Sequence, residues 1–251
     1  MPQASELKPS TRFFGLFVGR SGDGKTCAES SFPGPLHIFD SDMRIRGLLG
    51  SKDFNDLSQI TYDTFDPDKG FKEYESKLEA LGTMFKGGQK PYSTICIDSV
   101  TTMTRLFVTD AIAAAGDKIK KRLTLKMPGP QEYGYEAEAT MQIFDYLRSL
   151  SCHVIVTAHI VDRFGKLNKS EEYSETGVIG EKLTIRDKLG ENILLYFDEV
   201  YRFSRSEDGK RYSVEFHSDI AKTAYGSLPF GKVDITGKNF YKYWKEQVEK
   251  I

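Results

Sequence analysis

The chain has 251 residues, of which 39% are hydrophobic and 28% are charged, and its formal net charge is −1. This composition is typical of a globular protein, and the near-zero charge excludes a global electrostatic attraction to nucleic acid or membranes, so such binding would need local patches. Three scattered cysteines, a polar N-terminus without a signal-peptide core and the lack of a membrane-length apolar run together predict a cytoplasmic protein.

Apolar runs alternate with helical patterns along the chain, which predicts an α/β fold with a central sheet covered on both faces. Segment 204–210, rich in turn residues, predicts an antiparallel hairpin between the last two strands. Two long segments, 116–131 and 160–192, show no regular pattern, and loops of that length are usually functional or mobile. Because no linker divides the chain, we expect a tail over 1–11 and a single core domain over 12–251. Strands are predicted at about 12–19, 35–40, 58–63, 93–98, 153–158, 195–204 and 211–217, and helices at about 24–31, 70–86, 99–115, 132–151 and 238–249.

The most informative motif is the octapeptide from Gly19 to Thr26, which fits the phosphate-binding pattern G-x-x-x-x-G-K-[ST] and is called the P-loop below. It lies between a predicted strand and a predicted helix, so several backbone N–H groups and the positive end of the helix dipole point at one place. We expect Lys25 to reach the β- and γ-phosphates of a nucleoside triphosphate, and Thr26 to bind Mg²⁺ through its hydroxyl. The residues predicted to bind the nucleotide are Gly19, Arg20, Ser21, Gly22, Asp23, Gly24, Lys25, Thr26 and Cys27.

A second part of the nucleotide site is predicted at the apolar strand 93–98, which ends in Asp98. An aspartate at the carboxyl end of such a strand lies beside the P-loop and can bind Mg²⁺ through water. The alternative is that Asp98 caps the following helix, a common role for an aspartate at the end of a buried strand. Because the motif lysine lies 73 residues upstream, we favour the metal role for Asp98.

Hydrolysis also needs a carboxylate that orients or deprotonates the attacking water. Many P-loop ATPases have a glutamate directly after the strand-end aspartate, but Ser99 stands there, so the base must come from another strand. Asp40 and Asp42 follow the second predicted strand, and Asp42 is either this base or a cap of the next helix. His159 ends the fifth predicted strand and is either a hydrogen-bond donor to the γ-phosphate or a solvated histidine.

These motifs, in this order, resemble the RecA-like recombinase ATPases, and most closely the phage RecA-like ATPases that include single-strand annealing proteins. The resemblance extends from about Phe13 to Phe240 and implies a RecA-like P-loop NTPase fold: a mostly parallel sheet flanked by helices, with an antiparallel hairpin at the C-terminal side. It implies ATP and Mg²⁺ as cofactors, Asp42 as the catalytic carboxylate and His159 as the sensor of the γ-phosphate. RecA has glutamate and glutamine at these two places. A phage origin would place the protein in the cytoplasm of a bacterial host.

The resemblance also implies two DNA-binding loops. The first matches 117–128, the strongest basic cluster of the chain, although a solvated helix end is the commoner fate of such a run. The second matches 161–191, whose six basic and seven acidic residues do not by themselves indicate DNA binding. The residues predicted to contact DNA are Lys118, Lys120, Lys121, Arg122, Lys126, Arg163, Lys166 and Lys182.

A subunit interface is the last feature that the resemblance implies. Lys222 lies ahead of the pair Pro229-Phe230, where RecA sends lysines onto the γ-phosphate of the neighbouring subunit. A cation in that place stabilises charge in the transition state and makes hydrolysis depend on assembly. The alternative is an exposed surface lysine. The resemblance therefore implies a homo-oligomer, either a filament or a ring, with ATP between subunits.

The sequence as a whole predicts a RecA-like, DNA-stimulated ATPase that binds single-stranded DNA and promotes strand annealing or pairing in phage recombination. A single-strand-binding protein is a candidate further partner, and no membrane is expected. Three alternatives stay open: a DNA translocase or helicase core on the same fold, a small-molecule or nucleotide kinase with 161–191 as its lid, and a nucleotide-binding regulator without turnover. The step from ATPase to recombination depends on the family resemblance alone.

Overall fold

A computed structural model describes residues 11–53, 55–66, 71–114, 129–166, 176–216 and 231–250. The strands are β1 (Phe14–Gly19), β2 (Leu36–Asp40), β3 (Ile60–Thr64), β4 (Thr94–Asp98), β5 (His153–Lys166), β6 (Thr176–Leu183), β7 (Glu199–Arg205), β8 (Tyr212–Glu215) and β9 (Val233–Asp234). The helices are α1 (Lys25–Glu29), α2 (Lys72–Lys86), α3 (Val100–Ala114), α4 (Pro130–Ser149), α5 (Asp187–Ile193) and α6 (Phe240–Val248). Short 3₁₀ helices span Ile45–Ser51, Leu57–Gln59 and Leu194–Tyr196.

The strands form one sheet in the order β3-β2-β4-β5-β1-β7-β8-β9, with β6 paired to the outer part of β5. The six strands from β3 to β7 in this order run parallel, whereas β7, β8 and β9 are antiparallel to one another. The predicted α/β P-loop NTPase fold, with a mostly parallel sheet and antiparallel C-terminal strands, is therefore confirmed. Its parallel strands bring the ends of β1, β2, β4 and the first part of β5 to one edge of the sheet.

Strand β1 shows why the sheet is covered on both faces. Phe14 and Leu16 belong to the core cluster that includes side chains of α2, α3 and α4, and Phe17 belongs to the cluster under α6. Successive residues of a strand point to opposite faces, so a strand buried on both sides has a continuous apolar sequence. On the α6 side, Phe13 packs edge-on against Trp244, with 5.2 Å between ring centroids, and this contact holds the C-terminal helix beside the P-loop strand.

The segment 160–192 was predicted to be irregular, and this prediction is wrong for its described part. There, β5 continues to Lys166 and pairs with β6 as an antiparallel hairpin, which we call the β5–β6 hairpin, and α5 follows. The hairpin carries exposed apolar and charged residues on both faces, so its sequence lacks the alternation by which a half-buried strand is recognised. The predicted strand 195–204 begins only at Glu199, because its first part forms a 3₁₀ turn. In the described ranges, no helix combines the length and the apolar character needed to cross a bilayer.

Candidate nucleotide site

The P-loop connects β1 to α1 through a tight turn with a fixed backbone. The Arg20 amide donates a hydrogen bond to the Asp23 carboxylate at 2.7 Å, which closes the turn. Gly24 has φ +89°, in the left-handed region that favours glycine, and α1 begins at the next residue. A Cβ at Gly24 would lie 3.0 Å from Cδ1 of Tyr212, so a side chain there would also press against the ring. The motif therefore forms the strand–turn–helix geometry that phosphate binding requires.

Lys25 is buried, with only 5% of its surface exposed. Its Nζ donates hydrogen bonds to the carbonyl oxygens of Gly19 and Arg20, each at 2.9 Å. Burial lowers the pKa of Lys25, although the nearby Asp98 carboxylate acts in the opposite direction. The ammonium group thus lies folded back on the loop, where it can exchange a carbonyl partner for a phosphate oxygen.

The two predicted ligands of Mg²⁺ are in direct contact. Thr26 Oγ1 donates to Asp98 Oδ2 at 2.8 Å, and the Thr157 hydroxyl donates to the other carboxylate oxygen. Glu29, which is fully buried in α1, lies close enough that Asp98 adds to the effect of burial in raising the pKa of Glu29 well above its usual value. Mg²⁺ is usually held by one or two protein oxygens together with phosphate oxygens and water, so Thr26 and Asp98 fit this ion.

Asp42 and His159, predicted as base and sensor, are hydrogen-bonded to each other. His159 Nε2 lies 2.6 Å from Asp42 Oδ2, and Ser99 Oγ donates to Asp42 Oδ1 at 2.8 Å. Burial acts to raise the pKa of Asp42, but the hydrogen bonds from His159, Thr102 and Ser99 outweigh it and lower the pKa to about 2. The amide of Asp42 also donates to the Asp98 carbonyl at 3.3 Å, which joins the ends of β2 and β4. In this arrangement both oxygens of the Asp42 carboxylate are occupied.

Asp40, rather than Asp42, has the capping role that the sequence left open. Its carboxylate accepts the amides of Arg44 and Ile45 at 3.1 and 3.0 Å, at the start of the 3₁₀ helix. Asp42 makes no such bond in the described contacts and faces His159 instead. The side chain of Arg44 turns towards the P-loop, where its Nη1 donates to Ser21 Oγ at 2.7 Å.

A cavity of about 450 Å³ extends from the P-loop towards the C-terminal strands, within the usual range for small-molecule sites. On one side it is lined by Lys25, Thr26, Asp98 and other residues of the predicted nucleotide site. The opposite side is lined by residues that sequence reasoning missed, namely Arg205, Tyr212, Ile235, Thr236, Lys238 and Phe240. These residues follow no motif; the pairing of β8 with β7 and β9 brings the strand and turn residues to the P-loop, and Phe240 of α6 packs there against Phe17.

His159 stands at the junction between the parallel sheet and the β5–β6 hairpin. It pairs with Gly19, the last residue of β1, whereas the next residue, Ile160, already pairs with Leu183 of β6. The His159 carbonyl accepts the Thr184 amide at 2.8 Å, directly after β6. His159 therefore has its backbone at the base of the hairpin and its side chain in the nucleotide site.

Ion pairs at the base of the hairpin tie it to the nucleotide site and to the C-terminal strands. Arg20 of the P-loop binds Asp162 of β5. Arg202 of β7 binds Glu181 of β6 through two nitrogens, and it binds Glu215 of β8 at 2.7 Å. The pKa of Arg202 is accordingly raised, first by its hydrogen bonds to Glu181. The described acidic residues Asp162 and Glu181 are thus paired with arginines of the P-loop and of β7.

The pairing register places the acidic residues Asp162 and Glu181 on one face of the hairpin and the basic residues Arg163 and Lys182 on the other. Asp162 lies opposite Glu181, and Val161 lies opposite Lys182. Paired residues share a face and neighbours along a strand alternate, so Arg163 shares the face of Lys182, away from the two acids. Arg163 and Lys182 are both exposed. The overall charge of 161–191, which does not by itself indicate DNA binding, conceals this separation.

Several predicted residues lie outside the described part of the chain. Lys166 ends β5, but its side chain is outside the described set. The remaining ones, which stay predictions, are Lys118, Lys120, Lys121, Arg122, Lys126 and Lys222.

Comparison with known families agrees with the geometry of the P-loop. A family model described as an AAA domain matches residues 14–224, which include β1, the P-loop, the Asp98 strand and the β5–β6 hairpin. No curated protein is significantly similar in sequence to the chain.

Proposed function

The chain belongs to the AAA domain family of P-loop ATPases, and from that premise we propose that it is a RecA-like, DNA-stimulated ATPase that binds single-stranded DNA and promotes strand annealing or pairing. The observation that carries this proposal is the position of His159. Its side chain contacts the carboxylate of Asp42, which is predicted to act in hydrolysis. Its backbone leads directly into the β5–β6 hairpin, one face of which carries Arg163 and Lys182.

The nucleotide that we propose is ATP. The triphosphate would lie on the P-loop amides, with Lys25 at the β- and γ-phosphates, and the nucleoside would extend towards Tyr212 at the C-terminal side of the cavity. Thr26 and Asp98 would hold Mg²⁺, which neutralises developing charge on the phosphates. Tyr212 offers an aromatic face for stacking the base, and Arg205 lies over its ring at 5.6 Å from the centroid.

Asp42 is the carboxylate proposed to orient the attacking water. With a pKa of about 2 it is a weak base that stays ionised at neutral pH, so its part is to accept a hydrogen bond from water and position it. His159 occupies Asp42 Oδ2 in the structure. If His159 turns to donate to the γ-phosphate, that oxygen is released for water, so sensing of ATP and assembly of the catalytic site become one event.

The same turn of His159 is proposed to reach DNA through the β5–β6 hairpin. Arg163 and Lys182, which share one face of the hairpin, would contact phosphates of a single strand. Two further parts of the proposal concern residues outside the described ranges. The basic segment 117–128 would provide another DNA contact. Lys222 would supply a cation to the nucleotide site of the next subunit in a homo-oligomer.

ATP turnover with and without single-stranded DNA tests this proposal, with Lys25→Ala as the blank. We expect DNA to stimulate turnover, and the double variant Arg163→Ala/Lys182→Ala to lose the stimulation while it keeps basal turnover. The control Lys86→Ala/Lys90→Ala removes the same charge from two exposed positions, the last residue of α2 and the loop that follows it. Turnover that is indifferent to DNA in the wild type would contradict the proposal and favour a kinase or a regulator. Strand displacement by a closed hexamer would favour a translocase.

A further inference from the structure

The loop between β2 and the 3₁₀ helix Ile45–Ser51 holds an arginine in an unusual setting. The Asp40 carboxylate, which is 1% exposed, accepts the amides of Arg44 and Ile45 and so fixes the backbone at this point. Met43 has φ +56°, a left-handed conformation that is strained for a residue other than glycine, while its side chain is 58% exposed. Residues kept in such conformations cluster at ligand sites, where the surrounding structure enforces them. Here the enforced turn directs the next residue, Arg44, towards the P-loop.

The guanidinium of Arg44 already contacts the nucleotide site. Its Nη1 donates to the hydroxyl of Ser21 in the P-loop at 2.7 Å. Arg44 lines the cavity described above and also an adjoining one of the same volume, about 450 Å³, and Asp42 and His159 line both as well. Guanidinium has five N–H donors, and in the described contacts Ser21 takes one of them. Arg44 is thus on the side of the cavity where hydrolysis would take place.

The charged residues that line the cavity indicate which cations are available to a bound terminal phosphate. Asp42 and Asp98 both line the cavity; Mg²⁺ would screen Asp98 from the phosphates, whereas the Asp42 carboxylate would repel a terminal phosphate. Among the described lining residues, Arg205 ends β7 and Lys238 lies in the turn after β9, and each binds a carbonyl group of its own segment. Lys25 and Arg44 remain as the described lining cations that contact the P-loop itself. A terminal phosphate near the Asp42 carboxylate therefore has Arg44 as an available counter-charge beside Lys25 and Mg²⁺.

We propose that Arg44 binds the terminal phosphate of ATP from within the same subunit, exchanging its bond to Ser21 for a phosphate oxygen. Guanidinium matches phosphate oxygens in geometry and keeps its charge at every relevant pH. Because ADP lacks this phosphate, Arg44 would discriminate between the two nucleotides and stabilise charge in the transition state. The inference deepens the proposed function at the nucleotide site and is independent of DNA binding.

Calorimetric titration of the full chain with ADP and with the slowly hydrolysed analogue ATPγS tests this role. In Arg44→Ala and in Arg44→Gln, which keeps most of the side chain, we expect the affinity for ATPγS to fall at least about tenfold, as for other hydrogen bonds to charged groups. The affinity for ADP should change less than about threefold, and ATP turnover should fall about a hundredfold or more. Arg44→Lys should recover part of the affinity for ATPγS.

Two controls separate this role from a structural one. Arg46 is exposed, lies two residues further along and does not line either cavity, so Arg46→Ala should bind both nucleotides as the wild type does. Ser21→Ala removes the observed partner of Arg44 and should keep the preference for ATPγS over ADP. An equal loss of affinity for both nucleotides in the Arg44 variants, or no loss for either, would overturn the inference. A wild type that binds neither nucleotide would instead overturn the proposed function itself.

Discussion

The hydrogen bond between Asp42 and His159 gives the most quantitative prediction. A pKa of about 2, against an ordinary value of 3.8, corresponds to about 2 kcal/mol of folding free energy for Asp42, since one pKa unit is about 1.4 kcal/mol. His159 is the strongest of the hydrogen-bond partners that lower this pKa, ahead of Thr102 and Ser99. We therefore expect a coupling energy of about 1 kcal/mol between Asp42 and His159 in the protein without nucleotide.

A double-mutant cycle measures this coupling energy. The free energy of urea unfolding is determined at neutral pH for the wild type, Asp42→Asn, His159→Ala and the double variant, first without nucleotide and then with saturating ATPγS. If His159 turns to the γ-phosphate, the coupling energy should fall towards zero in ATPγS. Additivity of the two substitutions to within about 0.3 kcal/mol without nucleotide would refute the reasoning.

A second histidine–aspartate pair in the same sheet provides the matched control. His37 Nε2 lies 3.3 Å from Asp63 Oδ2, between β2 and β3, and neither residue lines the nucleotide cavity. The same cycle on His37→Ala and Asp63→Asn should give a coupling energy that does not respond to ATPγS. A response at both pairs would indicate a general stabilisation by the ligand instead of a local exchange at His159.

Three further predictions concern the nucleotide site and its dependence on pH. Tyr212→Ala should raise the dissociation constant of ATP at least about fivefold in calorimetry through loss of base stacking, while Tyr212→Phe should bind as the wild type does; equal binding by both would contradict the stacking role. Asp98→Asn should abolish the dependence of ADP affinity on Mg²⁺ concentration, and an unchanged dependence would remove Asp98 from the metal site. Because the folded-state pKa of Asp42 is depressed, its stabilisation is fully present above the unfolded value near 3.8 and is lost only as the pH falls through about 2. The difference in unfolding free energy between wild type and Asp42→Asn should thus decrease as the pH falls from about 4 towards 2, and a difference that does not change over this range would contradict the depressed pKa.

The sequence predicted the parts of the fold that follow strong local rules. The P-loop is found between β1 and α1 as expected, because its glycines, its lysine and its flanking strand each have a local physical reason. The ends of β2, β4 and the first part of β5 meet at one edge, as the alternation of strands and helices predicted. Asp42, Asp98 and His159 were therefore expected together at one edge of the sheet, and they lie there.

Contacts within that edge were beyond sequence reasoning. The bond between Asp42 and His159 depends on side-chain rotation, and the two residues are 117 positions apart. Asp40 and Asp42 have the same chemistry, and only the structure shows that Asp40 caps the backbone while Asp42 faces His159. Tyr212 is one tyrosine among 13, and no local pattern marks it as part of the cavity.

The β5–β6 hairpin escaped prediction for a different reason. A strand is recognised from an apolar face that alternates with a polar one, and that pattern arises when one face packs on a core. The hairpin leaves the sheet after His159, and both Val161 and Phe164 are exposed although they lie on β5. Its strands are held instead by pairing to each other and by ion pairs such as Arg202 with Glu181. Such long-range charge pairs leave no periodic signal in the sequence.

The affinity for single-stranded DNA in two nucleotide states tests the central claim most directly. Fluorescence anisotropy of a labelled oligonucleotide would be measured with ATPγS and with ADP, for the wild type and for His159→Ala. The account predicts that ATPγS tightens DNA binding by the wild type and that His159→Ala binds DNA equally in both states, because His159 joins the nucleotide site to the hairpin. Equal DNA affinity of the wild type in ATPγS and ADP would contradict it.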